Sequence, residues 1–446
     1  MGKCFLYFFL LIGCFALLQS CAVSKQIAKQ ANAILLQDSI ISTGHAGISI
    51  YEPATNTYWY NYNADKYFVS ASNTKLFTLY AGMKYLGDSL VGLRYTENNN
   101  INIDTFPITD LVKIFPTGDP SFLNTEFPFQ PAFEFLKKQK RFELCDFNNI
   151  NIEPFGKGWA WDDYMEEFMT SRNSFPMYKN IFNLKFIRKD SVLIQPEYFK
   201  KEISFLYTSD SGFSIFKNFF SNKVSLIPGK ERVKKIPFYN ASVVEMLKDT
   251  LKQQTVWSSS WLLRSEDLER KYKTIHSQPT DSLLTPMMHR SDNFFAEQTL
   301  LMASNEHLGY MNDEAIIATL LKNDLKDIPQ KPTWVDGSGL SRYNLFTPQS
   351  FTYILNKMKN EFGFERLKKI LPTGGEGTLK DYYINDSTFI YAKTGTLGGT
   401  IALSGFLITQ KNKLLIFSIL TNNFKGRATA VRRAVEKFII GIRKKY

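Results

Sequence analysis

Three short motifs in the 446-residue chain contain the residue types of a serine acyl-transfer site. They are the first motif at residues 72–75 (SNTK), the second motif at 291–293 (SDN) and the third motif at 393–395 (KTG). The first supplies a hydroxyl nucleophile and an amine three positions later, the second a hydroxyl and a side-chain amide, and the third a cation beside a glycine. In this order they predict a site that is acylated on serine and uses lysine as its base.

The first motif defines a nucleophile and its base. Residues three positions apart on a helix share one face, so the amine of Lys75 can reach the hydroxyl of Ser72. A lysine with the ordinary pKa of about 10.4 is protonated and cannot act as a base, but burial or a nearby cation lowers that pKa. We expect Lys393 to be this cation. We expect Ser291 to relay a proton between Lys75 and the leaving nitrogen, and Asn293 to hold both Lys75 and a substrate amide.

The third motif predicts a binding surface for the substrate. The backbone N–H of Ser72, at a helix N-terminus, and the N–H of Thr396 would together form an oxyanion hole. Gly395 is expected to leave the strand edge bare, so that a substrate backbone can lie alongside it. Lys393 and the hydroxyls of Thr394 and Thr396 are expected to bind a substrate carboxylate.

The first motif lies between segments with clear secondary-structure patterns. Residues 47–51 and 58–62 alternate in polarity around a turn cluster at 52–56, and this predicts a β-hairpin. The nearly continuous apolar run 76–83 predicts a buried helix. Ser72 is therefore expected near the N-terminus of a core helix.

The third motif lies in the C-terminal part of the chain, whose residue pattern predicts three strands and a helix. These elements are expected at 389–393, 401–408, 413–420 and 428–443. Helical patterning also occurs at 242–247 and around 283–303. Because the strand connections are short, antiparallel hairpins are favoured. The catalytic unit is therefore predicted to be α+β, an antiparallel sheet flanked by helices.

Residues 95–239 differ from the rest of the chain in composition. Their strand-like segments, such as 182–187 and 223–227, are short and lie among many Asn, Asp and Lys residues. We interpret this part as a strand-rich inserted domain. The predicted division is a signal segment at 1–20, a catalytic domain formed by 21–94 and 240–446, and the inserted domain at 95–239.

The N-terminus predicts export. Lys3 precedes a 15-residue apolar run at 4–18, which is short for a bilayer span and typical of a secretory signal. Residues 18–21 (LQSC) resemble a bacterial lipobox, and this implies cleavage before Cys21 and a lipid on that cysteine. The alternative is an ordinary signal peptide with an incidental cysteine. We expect an exported, periplasmic protein that is lipid-anchored to the outer membrane.

Charge and histidine spacing exclude several classes of function. The formal net charge of +12 favours an anionic polymer such as the cell wall as a partner. Nucleic acid is not expected, because the chain has a secretory signal and no basic run interleaved with glycine or aromatic residues. The four histidines show no metal-ligand spacing. No metal and no cofactor are therefore expected.

Further strings accompany the three motifs along most of the chain. They are residues 118–120 (GDP), 158–163 (GWAWDD), 291–297 (SDNFFAE), 336–342 (DGSGLSR) and 371–379 (LPTGGEGTL). With them the chain resembles the D-alanyl-D-alanine carboxypeptidase/endopeptidase family, the low-molecular-mass class C penicillin-binding proteins. It departs from the family at Ser70, where proline is common, and residues 187–235 show no family signature.

The resemblance implies a fold, a substrate and a mechanism. The fold would be transpeptidase-like and β-lactamase-like, with an insertion between the first two motifs. The enzyme would form an acyl-enzyme on Ser72 and pass the acyl group to water. Its substrates would be peptidoglycan stem peptides that end in D-Ala-D-Ala or are crosslinked through D-Ala, and β-lactam antibiotics would bind covalently. Asp163 of the inserted domain is assigned to the free amine end of the stem diamino acid.

Two other functions remain open at this point. A β-lactamase uses similar motifs, but it needs a dedicated base for fast deacylation, and the large insertion favours the peptidase. A catalytically silent, cell-wall-binding lipoprotein is the second alternative. The intact polar residues of all three motifs argue against that loss of activity.

Overall fold

The structure is a computed structural model that describes most of the chain. The described residues are 23–98, 101–103, 106–108, 111–146, 152–188, 191–206, 214–218, 221–227, 233–239, 241–252, 256–258 and 272–446. The predicted signal segment 1–20 and the predicted lipidation at Cys21 lie outside the described residues.

Most α-helices of the described residues lie in the C-terminal half of the chain. A helical segment at 23–31 continues into the π-helical turn Asn32–Leu36. The α-helices that follow are α1 Lys75–Tyr85, α2 Pro131–Lys138, α3 Val243–Leu251, α4 Thr280–His289, α5 Asn293–Leu308, α6 Asp313–Lys322, α7 Pro348–Phe362, α8 Phe364–Ile370 and α9 Ala428–Lys445. The 3-10 turns are Ile41–Thr43, Ala71–Thr74, Trp161–Asp163, Glu167–Met169, Tyr178–Asn180, Glu197–Glu202, Gly377–Leu379 and Ile384–Phe389.

The strands fall into two larger sheets and several small ones. They are β1 His45–Glu52, β2 Thr57–Tyr62, β3 Phe68–Val69, β4 Ser89–Asn98, β5 Ile101–Ile103, β6 Phe106–Ile108, β7 Leu111–Phe115, β8 Arg141–Leu144, β9 Ile181–Arg188, β10 Ser191–Gln195, β11 Ile203–Phe205, β12 Ser214–Lys217, β13 Val224–Ile227, β14 Val233–Pro237, β15 Val256–Ser258, β16 Lys273–Pro279, β17 Leu345–Phe346, β18 Ile390–Leu397, β19 Thr400–Ile408 and β20 Leu414–Asn422.

The central sheet joins the two ends of the chain. Its order is β18-β19-β20-β1-β2, and every neighbouring pair is antiparallel. The predicted hairpin is confirmed as β1 and β2, and the predicted C-terminal strands are confirmed as β18, β19 and β20. Strand β18, which contains the third motif, lies at one edge of this sheet.

Helices cover both faces of the central sheet because its strands alternate apolar residues between two cores. On β19 and β20 the side chains of one core are Ile401, Leu403, Leu407, Leu415, Phe417 and Ile419, and those of the other are Ala402, Phe406, Ile416 and Leu420. The first core includes α9 and the segment 23–36, and the second includes α1, α4, α5 and α7. This arrangement confirms the predicted α+β class, with an antiparallel sheet between helical layers.

A second five-stranded sheet and a phenylalanine-rich core lie between the first two motifs in sequence. The sheet order is β15-β8-β7-β4-β16. Two smaller three-stranded sheets, β10-β9-β14 and β11-β13-β12, contribute side chains to the same core. Strand β4 crosses the predicted boundary at 94/95, and β15 and β16 lie beyond the boundary at 239/240. We therefore propose that the inserted unit extends from about residue 88 to about residue 279, instead of from 95 to 239.

The helical pattern predicted around 283–303 is divided into two helices. Helix α4 ends at His289 and α5 begins at Asn293. Between them Ser291 has a φ of 59°, a left-handed conformation that ends the first helix. The break places Ser291 in a turn and Asn293 at the first position of α5.

None of the helices in the described part of the chain combines the length and the apolar composition that a membrane span needs.

Candidate active site

Ser72 lies in the 3-10 turn Ala71–Thr74, immediately before α1. The hydroxyl of Thr74 donates to the carbonyl of Ala71 at 2.9 Å and lies 2.7 Å from the hydroxyl of Ser70. Ser70, at the position where the resembled family often has proline, therefore supports the turn with its side chain. The predicted position of Ser72 at the start of a core helix is confirmed.

The amine of Lys75 is fully buried and has three polar neighbours. Its Nζ lies 3.1 Å from Ser72 Oγ and donates to Asn293 Oδ1 and to the carbonyl of Ser338, each at 2.6 Å. Helix α1 therefore brings Lys75 to Ser72, as predicted, and the first turn of α5 brings Asn293 to both.

Burial lowers the pKa of Lys75 to about 8, against the opposing effect of three carboxylates, Asp336, Glu297 and Asp292. Burial, and then the charge of Lys75, hold the pKa of Lys393 well below its usual range. Both amines therefore lose their proton more readily than a lysine exposed to water. Of the two causes that the sequence left open, burial and a nearby cation, burial is the one that lowers the pKa of Lys75.

Lys393 connects the second and third motifs. Its Nζ donates to Ser291 Oγ at 2.8 Å and to the carbonyl of Thr394 at 2.7 Å, and the residue has no exposed surface. The side chain therefore points towards Ser291. It does not present a cation to the open cleft, where the sequence analysis expects it to bind a carboxylate together with Thr394 and Thr396.

Gly395 is required by the turn that contains the nucleophile. A Cβ at this position would lie 2.8 Å from the carbonyl oxygen of Ser70 and 3.1 Å from the backbone nitrogens of Ser72 and Asn73. This glycine also lets β18 approach the Ser72 turn, and the approach places the N–H of Ser72 beside that strand. Its expected role in leaving room for a substrate backbone stays a prediction.

A buried network outside the three motifs supports Lys75. The Ser338 N–H donates to Glu297 Oε1 at 2.8 Å, and Arg172 Nη1 donates to Glu297 Oε2 at 2.9 Å. Asp336 accepts from the N–H of Gly339 at 2.8 Å. Burial and the charge of Asp336 raise the pKa of Glu297 to about 7, whereas Arg172 lowers it. These bonds fix the carbonyl of Ser338 that accepts from Lys75.

Asn293 and Asp163 differ from their predicted surroundings. Asn293 Nδ2 donates to the carbonyl of Phe168, in a loop of the inserted unit, at 2.8 Å. The sequence predicts that this side-chain amide contacts a substrate amide.

Asp163 lies in the turn Trp161–Asp163 and is half-buried. Its burial, followed by the charges of Asp162 and Glu166, raises its pKa. Within the described residues, Asp163 is not part of the lining of the cleft that contains Ser72.

The Asp163 turn is nevertheless joined to the site through a neighbouring loop. Trp159 Nε1 donates to Asp336 Oδ2 at 2.8 Å, and a Cβ on Gly158 would lie 2.9 Å from Ser341 Oγ. Residues 158 and 159, which lie just before the Asp163 turn in sequence, therefore pack on the segment 336–343, which includes Ser338.

An open cleft lies in front of these groups. Ser72, Ser291, Thr394 and Thr396 line it together with the segment 377–382 and α9. Arg432 of α9 also lines the cleft, and its Nη2 donates to Thr396 Oγ1 at 2.6 Å. This residue was not predicted from the sequence, since its position beside Thr396 depends on the packing of a helix that begins more than thirty residues later.

Within the described residues, no group of three or more His, Cys, Asp or Glu side chains is arranged to hold a metal ion.

The comparisons with known proteins agree with this geometry. The model of the family described as D-Ala-D-Ala carboxypeptidase 3 (S13) matches residues 27–192 and 231–445. The unmatched residues between these ranges lie within 187–235, the stretch without a family signature.

Two curated relatives match to different extents. The chain is similar to the D-alanyl-D-alanine carboxypeptidase DacB of Haemophilus influenzae, 25% identical over an alignment of 412 residues that covers 82% of each protein. It is also similar to the penicillin-sensitive carboxypeptidase A of Dictyostelium discoideum, 33% identical over 119 residues, but that match covers only 24% of this chain and 23% of the relative.

Among solved structures, the chain is similar to penicillin binding protein 4 (dacB) from Haemophilus influenzae. The TM-score is 0.71 at 19% identity, and the match covers 93% of this chain and 98% of the other. The same protein complexed with a β-lactam gives a TM-score of 0.70. This likeness confirms the predicted fold class.

Proposed function

The chain belongs to the D-Ala-D-Ala carboxypeptidase 3 (S13) family, and from this premise we propose that it is a serine-type D-Ala-D-Ala carboxypeptidase/endopeptidase of peptidoglycan stem peptides. One observation supports this proposal most strongly. The buried amine of Lys75 lies 3.1 Å from the hydroxyl of Ser72, with two further acceptors fixed around it.

These contacts suit a neutral amine that acts as a base. A neutral lysine has two N–H bonds and one lone pair, and Asn293 Oδ1 and the Ser338 carbonyl are both acceptors that take up the N–H bonds. The lone pair is then left for the third neighbour, the hydroxyl of Ser72. Because the pKa of Lys75 is about 8, about one molecule in ten has this neutral amine at pH 7 and about half have it at pH 8.

Acylation would follow from this arrangement. Ser72 Oγ attacks the carbonyl carbon between the two D-Ala residues while its proton moves to Lys75 Nζ, and a tetrahedral oxyanion forms. The N–H groups of Ser72 and Thr396 would bind that oxyanion, which is worth about 3 kcal/mol per donor in the transition state. The oxyanion then collapses, the C–N bond breaks, and an ester on Ser72 remains.

The leaving nitrogen needs a proton, and Ser291 is in place to deliver it. Ser291 lines the same cleft as Ser72, and its Oγ accepts from the buried amine of Lys393 at 2.8 Å. We propose that the proton taken up by Lys75 passes through Ser291 to the departing amine. In deacylation, water attacks the ester, loses its proton to the same groups, and Ser72 regains its hydroxyl hydrogen.

Substrate recognition is proposed to include Thr394, Thr396 and Asp163. The two threonine hydroxyls line the cleft beside Ser72 and are suited to the substrate carboxylate. Asp163 is proposed to face the free amine of the stem diamino acid, since its turn follows Gly158 and Trp159, which pack on the segment that contains Ser338. Because Asn293 Nδ2 is bonded to Phe168, its proposed contact with a substrate amide requires that bond to be exchanged.

The test is digestion of purified peptidoglycan with the protein and with Ser72→Ala, followed by separation of the muropeptides. Release of terminal D-Ala alone would define a carboxypeptidase, and loss of crosslinked dimers would define an endopeptidase. Intact muropeptides with folded wild-type protein would overturn the proposal and leave the silent cell-wall-binding protein and the β-lactamase.

The β-lactamase alternative has its own outcome. Rapid, repeated hydrolysis of penicillin, with no effect on muropeptides, would identify a β-lactamase. We expect the opposite, a penicillin acyl-enzyme that turns over slowly.

Export and lipid anchoring at Cys21 are proposed with this activity. A peptidoglycan substrate requires an enzyme outside the cytoplasm, and the apolar run 4–18 and the lipobox-like string support that location.

A further inference from the structure

The third motif lacks an accessible cation for the substrate carboxylate. Lys393 is fully buried, and its amine donates hydrogen bonds to Ser291 Oγ and to the Thr394 carbonyl. A carboxylate in the cleft beside Thr394 and Thr396 would therefore meet two hydroxyls without a positive charge from the third motif. Desolvating a carboxylate with so few partners is unfavourable, so the site needs another cation.

Arg432 meets this requirement. It is half-buried in the second turn of α9, it lines the cleft with Ser72, and its Nη2 donates to Thr396 Oγ1 at 2.6 Å. Among the described residues no carboxylate forms an ion pair with it. A guanidinium has five N–H donors, and the bond to Thr396 uses one of them. The remaining donors and the positive charge are available to a ligand in the cleft.

The neighbouring cations do not offer the same contact. Arg433 also borders the cleft, but its Nη1 is bonded to Glu436 Oε2 at 2.6 Å and its guanidinium lies over the ring of Tyr382. Lys380 lines the cleft too, but among the described residues it has no hydrogen bond that fixes its amine near Thr396. The bond to Thr396 therefore holds Arg432 in position, and no carboxylate of the described residues neutralises its charge.

Resting on the proposed function, we infer that Arg432 determines specificity by binding the carboxylate next to the scissile amide, together with the hydroxyls of Thr394 and Thr396. A planar guanidinium can bind a carboxylate through two parallel hydrogen bonds, which lysine cannot reproduce. The bond to Thr396 sets its orientation and ties it to the strand that also supplies the Thr396 N–H. A substrate whose carboxylate is bound here has its carbonyl directed to Ser72.

The test compares an N-acylated tripeptide ending in D-Ala-D-Ala with the same peptide as its C-terminal carboxamide. In Arg432→Gln, we expect kcat/KM for the free acid to fall about 10- to 100-fold, mainly through KM, and that for the carboxamide to change little. Arg432→Lys should be intermediate. Arg433→Gln removes the same charge one residue along and should keep the wild-type preference for the free acid.

Two results would overturn the inference. One is that Arg432→Gln keeps the wild-type ratio of kcat/KM for the free acid to kcat/KM for the carboxamide. The other is that Arg433→Gln lowers this ratio as much as Arg432→Gln does. Thermal unfolding of each variant distinguishes these results from misfolding.

Failure of the proposed function would be recognised separately. If the wild-type protein releases no D-Ala, the ratio of acylation rates for benzylpenicillin and its methyl ester, which lacks the carboxylate, replaces the peptide pair. If this ratio of acylation rates is smaller in Arg432→Gln than in wild type, the inference on Arg432 is supported even without D-Ala release. A wild-type protein that is neither acylated nor hydrolytic would overturn both proposals.

Discussion

At the scale of single residues, the proposed mechanism depends on the protonation of Lys75. Its burial lowers the pKa to about 8, while the carboxylates of Asp336, Glu297 and Asp292 limit the shift. The base is active only when neutral, so the catalytic fraction increases as the pH rises through this value.

The first prediction is the pH dependence of acylation. We expect the second-order rate constant for benzylpenicillin to rise with pH, with a midpoint near pH 8, because Lys75 loses its proton there. Stopped-flow measurement of acylation between pH 6 and pH 10 tests this. A rate that falls across the same range would show that the protonated amine is the active form.

The second prediction concerns Glu297, a positioning residue that acts through Ser338 and through its charge. In Glu297→Gln, the loss of a nearby negative charge should move the acylation midpoint to lower pH. Glu306→Gln is the matched control, because Glu306 lies on the same helix but pairs with Arg94. A midpoint that stays in place or rises in Glu297→Gln would contradict the assigned role.

At this scale the sequence predicts residue types better than their surroundings. The spacing of Ser72 and Lys75 follows from a helix and was predicted correctly as a contact. The support of Lys75 by Glu297 and Arg172 depends on residues that are distant in sequence, 125 positions apart in that pair. Burial of Lys393, which removes it from the cleft, also follows only from tertiary packing.

At the scale of elements, a left-handed turn of the inserted unit supports the second motif. Tyr178, Lys179 and Asn180 have φ values of 55°, 60° and 52°, and each such non-glycine residue costs about 1–2 kcal/mol. Asn180 is fully buried and its Nδ2 donates to the Ser171 carbonyl at 2.9 Å. Surrounding contacts therefore hold a strained turn in one conformation.

The turn directs Lys179 onto the N-terminus of α5. Lys179 Nζ donates to Asp292 Oδ2 at 2.7 Å and to Glu126 Oε1 at 3.1 Å. Asp292 in turn caps α5 by accepting from the Phe295 N–H at 3.1 Å. Since Asp292 lies between Ser291 and Asn293, this ion pair positions both polar residues of the second motif.

The third prediction tests this coupling. Lys179→Ala should lower the free energy of unfolding by about 1–3 kcal/mol, because Asp292 loses a largely buried partner, and should slow acylation by about tenfold. Lys235→Ala is the control, since Lys235 pairs with Glu167 in an exposed bridge and should cost at most about 1 kcal/mol. Equal effects of the two substitutions on acylation would refute the positioning role.

Local elements were predictable because their signals are local. The hairpin of β1 and β2, the helix α1 and the strands β18 to β20 follow from the period of apolar residues. The division between α4 and α5 was not predicted, because apolar residues continue on both sides of Ser291 and its left-handed conformation has no signal such as glycine. That break is what separates Ser291 from the first turn of α5.

At the scale of the whole molecule, the inserted unit is where this chain differs from its family. The family model leaves residues 193–230 unmatched, and within them the structure describes the small sheet β11-β13-β12. Among the described residues, residues 168 to 179 of the inserted unit contact the catalytic groups and the residues that position them. These residues lie within the range that the family model matches. Within the described residues, the bonds of the five catalytic side chains do not include one to the unmatched segment.

The fourth prediction concerns the anchor. If Cys21 is lipidated, the full-length protein produced in a Gram-negative host should fractionate with membranes, and Cys21→Ala should appear in the soluble fraction. Mass spectrometry of the N-terminal peptide should show the lipid on Cys21. An unmodified Cys21, with the same fractionation in both proteins, would favour the ordinary signal peptide.

Ser72 is proposed to form a stable acyl-enzyme, with Lys75 as its base. The most direct measurement is the intact mass of the protein after incubation with benzylpenicillin, followed by peptide mapping of the adduct and of its decay. We predict one adduct with the mass of the whole antibiotic, located on Ser72, lost slowly, and absent from Ser72→Ala and Lys75→Ala. No adduct on folded wild-type protein, or an adduct on another residue, would contradict that claim.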